Sequence, residues 1–66
     1  MTAPRLDTPR VDRMLAVMEA EADQIEMAAA RLRMDNVASE MALARRHLLA
    51  ARVALMRAER KGKVAV

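Results

Sequence analysis

Apolar side chains recur along this chain in two heptad rhythms that are out of step with each other. The first is Val11, Leu15, Met18, Ala22, Ile25, Ala29, Leu32, and the second is Met34, Val37, Met41, Ala44, Leu48, Ala51, Leu55, Ala58. Steps of three and four residues place each set on one helix face. Continued past Leu32, the first rhythm lands on the polar residues Asn36 and Ser39. The phase slips at Arg33-Met34-Asp35-Asn36, and the slip predicts an antiparallel two-helix hairpin of the all-α class. Helix 1 is expected over about residues 9–33 and helix 2 over about 37–60. The competing reading is one continuous helix of about 52 residues with a phase slip, since no Gly or Pro interrupts the middle.

Punctuation along the chain fits two arms. Thr8-Pro9 is a helix start: Thr accepts from a free first-turn amide, and Pro loses no intrahelical bond there. Asp35-Asn36 offers two capping side chains for the second arm, and Asn36 could instead occupy the turn in a left-handed conformation. Arg57, Arg60 and Lys61 suit the negative end of helix 2, and Gly62 is a plausible stop. Residues 1–8 then read as a flexible lead-in, 9–61 as the hairpin and 62–66 as a flexible tail.

Composition narrows the class further. The 66 residues are 55% hydrophobic without one aromatic, which favours helix and disfavours strand. There is no Cys, so disulfides and thiolate metal sites are excluded. So short a chain buries little core alone, and association with another chain is the remaining supplement.

Charge favours folding back. With Leu15 as heptad position a and Met18 as d, the e positions are Asp12, Glu19, Glu26 and Arg33 on helix 1. On helix 2 they are Ala38, Arg45, Arg52 and Glu59. An antiparallel pair sets e against e, so Glu26 is expected near Arg45 and Glu19 near Arg52. The outer pair, Asp12 with Glu59, is like-charged, with Arg10, Arg13 or Arg60 as candidate screens. Residues 14–30 carry a net charge of −4, and residues 31–66 carry +6. The acidic arm therefore complements the basic one.

The expected seam is Val11, Leu15, Met18, Ile25, Leu32, Val37, Met41, Leu48 and Leu55. It leaves apolar surface over. Leu43, Leu49, Val53 and Met56 lie outside it, and a helix apolar on several faces is normally buried on several. These four form the expected partner interface, met by a second copy in a four-helix bundle or by another protein chain.

Other chemistry finds little footing. Met-rich clusters can bind copper(I), but Met also fills irregular apolar gaps, and no metal or other cofactor is expected. Glu40 and His47 lack the Glu-x-x-His spacing of di-iron bundles, because Ala44 stands three before His47. No glycine-rich phosphate loop or nucleophile grouping is present, so no enzyme is expected. Arg57, Arg60, Lys61 and Lys63 are the candidate nucleic-acid contacts, without an aromatic to stack on bases. No export leader or span-length apolar run is seen, and a cytoplasmic location without membrane contact is expected.

The expectation is a small non-enzymatic protein–protein interaction module: an adaptor, assembly factor or chaperone-like accessory chain. The two-arm layout, over most of the chain, resembles the helical-hairpin co-chaperones that hold needle subunits of type III secretion systems. It is also similar to dimeric hairpin bundles that bind RNA loops. Both resemblances are of architecture, and no specific motif carries either.

Overall fold

The computed structural model describes residues 6–64, with side chains to residue 61. Two helices, α1 (Thr8–Arg31) and α2 (Asp35–Val64), pack against each other as a rod 52 Å long and 16 Å wide. The hairpin is thus the architecture, and the continuous helix is not.

α1 starts one residue earlier than the sequence suggests. Asp7, not Thr8, is the N-cap, and its carboxylate accepts from the Arg10 amide at 3.3 Å. A carboxylate there also meets the positive end of the helix dipole. Thr8 is left free to donate through Oγ1 to Glu59 Oε2 at 3.0 Å, which ties the open end of the hairpin together.

The turn differs from expectation too. Arg33 adopts φ 60°, the left-handed region, and Asn36 lies inside α2. The Met34 amide donates to the Ala29 carbonyl at 2.8 Å, and the Arg33 amide donates to the Ala30 carbonyl at 3.2 Å. These crossed bonds form a Schellman stop, which satisfies carbonyls that the helix end would orphan. Met34 then starts the return: its carbonyl accepts from the Ala38 amide at 3.0 Å. Asp35 places a negative charge in the first turn of α2.

At the far end, α2 runs through Gly62 to Val64, so Gly62 does not stop it. A glycine stops a helix by turning left-handed, and no glycine here has positive φ. Of the expected lead-in and tail, residues 1–5 and 65–66 lie outside the described residues.

The core is a line of small side chains. Ala22 and Ala29 are the buried hydrophobic residues among those described. Leu15, Met41, Leu48 and Leu55 flank them half-buried. Alanines at the contact leave room for two helix backbones to approach and for neighbouring positions to join the contact.

Candidate functional site

The two helices meet through heptad positions a and e, not a and d. On α1 the shielded set is Leu15, Ala22 and Ala29 with Asp12, Glu19 and Glu26. On α2 it is Met41, Leu48 and Leu55 with Ala38, Arg45 and Arg52. At 3.6 residues per turn, the contact is rotated about 50° from the a/d seam the sequence suggests. Of the expected seam, Val11 is half-buried with Leu15, Met41, Leu48 and Leu55. Met18 and Ile25 stay half-exposed, Val37 is exposed, and Leu32 is 71% exposed because it caps α1.

The rotation has a visible cause. Four acidic and two basic side chains lie along the e edge and its neighbouring position. Arg52 donates through Nε to Asp12 Oδ1 at 2.9 Å and through Nη1 to Glu19 Oε2 at 2.6 Å. Arg45 donates to Asp23 and lies 3.3 Å from Glu26 Oε1. That Glu26 oxygen is enclosed and accepts no hydrogen bond, so its tie to Arg45 is Coulombic alone. Each arginine thus clamps two acids one or two turns apart on α1. Both expected pairs, Glu26 with Arg45 and Glu19 with Arg52, form.

The expected like-charge clash does not arise. Asp12 bonds to Arg52 and Glu59 to Thr8, so Arg10, Arg13 and Arg60 are not needed as screens. Arg52 holds the Asp12 carboxyl below its ordinary range, chiefly through that hydrogen bond, and its own guanidinium is held more firmly protonated. The groups are partly exposed, so these pairs set register and rotation more than they stabilise.

Turning toward the charged edge leaves the opposite edge apolar. Met18 and Ile25 of α1 and Met41, Ala44 and Leu48 of α2 line an open groove between the helices there, with Glu21 and His47 at its rim. One long side of the rod is therefore ionic and the other oily. Periodicity alone missed this, because Ala at so many positions makes several faces look equally apolar.

The four residues expected at a partner interface are all exposed: Leu43 45%, Leu49 53%, Val53 40% and Met56 55%. Leu49, Val53 and Met56 form one stripe, while Leu43 points to a different side of the helix. Leu49 and Val53 sit in a shallow outer groove of α2 framed by Arg46, Arg57 and Lys61. Two of the candidate nucleic-acid contacts, Arg57 and Lys61, therefore edge an apolar surface. Arg60 is exposed, and the Lys63 side chain lies outside the described residues.

Among the described residues, no three His, Asp or Glu side chains gather as a metal-ligand set. No described helix is long and apolar enough to cross a membrane. No family model, no curated protein and no solved structure matches this chain.

Proposed function

We propose that this chain is a small non-enzymatic interaction module whose working surface is apolar helix face, covered by another protein chain. One observation carries the reading. Ala22 and Ala29 make up the buried core among the described residues, while Met14, Val17, Met18, Ile25, Met27, Leu49 and Met56 each remain about half exposed. Grouped exposed apolar side chains mark a contact surface, and Met18 with Ile25, and Leu49 with Val53 and Met56, form two such groups. Met and Ala add adaptability, since unbranched and small side chains can re-pack around a partner.

The outer stripe of α2 has a recognisable chemistry. Leu49 and Val53 supply an apolar floor, and Arg46, Arg57 and Lys61 supply a basic frame. This suits an amphipathic helix with acidic edges, in the helix-in-groove mode. A phosphate backbone would use the frame and gain nothing from the floor.

Truncation tests the reading. Leu49→Ala and Met56→Ala should weaken binding of an amphipathic helical peptide with acidic edges, followed by titration, more than they lower helicity. An equal loss of both would make the stripe internal core. Salt separates the nucleic-acid alternative, whose binding should fall steeply between 50 and 200 mM by roughly a thousandfold or more for several phosphate contacts.

A further inference from the structure

We infer that the apolar edge of the hairpin is covered by a second copy of this chain, related by a two-fold axis parallel to the helices. The inference rests on the reading above and names the partner for one of its two surfaces. Three features of the edge converge on it.

The first is size. In the outermost row of this edge, heptad position d, α1 carries the large Met18 and Ile25 and α2 the small Ala44 and Ala51, while the large Met41 and Leu48 of α2 lie deeper and half-buried. A two-fold axis along the rod lays α1 of one copy over α2 of the other, so large meets small. A two-fold axis across the rod lays α1 over α1, where the row of Met18 and Ile25 meets its own copy and the row of Ala44 and Ala51 meets another row of alanines. Interfaces pack to interior density, which favours the first arrangement.

Register is the second. The arginine clamps, Arg45 to Asp23 and Glu26 and Arg52 to Asp12 and Glu19, fix which residues stand level along the rod. On that register Met18 is level with Ala51, Ile25 with Ala44 and Glu21 with His47. An axis along the rod preserves levels, so each large side chain meets its small counterpart in the second copy. Charge follows the same geometry. Glu19, Asp23 and Glu26 are occupied by Arg45 and Arg52, whereas Glu21 makes no ion pair among the described residues. The parallel axis sets Glu21 beside His47 of the second copy, twice. The crosswise axis lays α1 over α1, which holds no His, and leaves Glu21 without that neighbour.

Area is the third. The face that both helices share is as long as the 24-residue α1, about 36 Å, and 16 Å wide, so it projects to about 600 Å² per copy, and two copies reach about 1,200 Å², the lower end for a specific stable interface. The result is a four-helix bundle with both turns at the same end.

The chain has no Cys, so Asp35→Cys gives one labelling site per chain beside the turn. A nitroxide there, read by pulsed dipolar spectroscopy, should report a label separation of about 20–30 Å, the width of two helix diameters. A separation of about 50 Å, the length of the rod, would place the turns at opposite ends and overturn the arrangement. Ala51→Glu should raise the dimer dissociation constant more than about a hundredfold, because it buries an unpaired carboxylate. Ala50→Glu, on the outer side of α2, should leave the dimer intact. If Ala50→Glu breaks the dimer and Ala51→Glu does not, the wrong face has been named.

A monomer that is loosely folded until a different protein is added would overturn the second copy and leave the interaction reading standing. A well-folded monomer would overturn both.

Discussion

Replacing Arg33 with Gly should stabilise the protein, and the sign of the effect discriminates between folds. Arg33 sits at φ 60° in the Schellman stop, where a side chain with a Cβ costs roughly 1–2 kcal/mol. Glycine removes that cost but gives the unfolded chain extra freedom, worth about 0.4–1 kcal/mol. The expected net gain is about 0.5–1 kcal/mol. For a chain of this size, 1 kcal/mol corresponds to about 4–8 °C in Tm. The Arg33 side chain is exposed and makes no ion pair among the described residues, so its removal adds little. Thermal unfolding followed by circular dichroism at one fixed protein concentration is the assay. Arg33→Ala is the control, since alanine keeps the Cβ and should bring no gain. In a continuous helix Gly at this position would instead cost up to about 1 kcal/mol. A fall in Tm for Arg33→Gly would therefore refute the hairpin turn.

Other consequences follow from the packing and the charged edge. Ala22→Leu, at a site only 4% exposed, should force the helices apart and cost about 1–3 kcal/mol in chemical denaturation. Leu48→Ala, half-buried, should cost about 1–2 kcal/mol, less than a fully buried leucine. The folded-state pKa of Asp12 lies below its unfolded value, so its contribution is present above about pH 4 and is lost as pH falls through the folded value. Asp12→Asn should flatten the acid limb of a stability–pH curve below pH 4 and leave the neutral region's slope unchanged.

Much of the architecture was legible because it depends on period and charge. The phase slip after Leu32 gave two arms, and the e-position charges gave their antiparallel register. The turn was not legible, since the left-handed residue is Arg33, with none of the usual Gly or Asn signature. Nor did Gly62 stop α2, because glycine permits a stop without imposing one. The rotation was hidden for a different reason. Heptad patterning distinguishes apolar from polar, but Ala22 and Ala29 need so little room that neighbouring positions can join the contact. The clamps of Arg45 and Arg52 then decide the orientation, which exposes Met18 and Ile25. The surface residues were easier to find than to assign: Leu49, Val53 and Met56 are exposed where expected, whereas Leu43 lies away from their stripe.

The central claim is that apolar helix face left open by the hairpin is covered by another chain, the oily edge by a second copy. Molar mass by light scattering, measured together with helicity across a dilution series, tests it most directly. The prediction is a species of twice the 7.3 kDa chain mass that loses mass and helicity together on dilution. A fully helical 7.3 kDa monomer persisting at low micromolar concentration would contradict it.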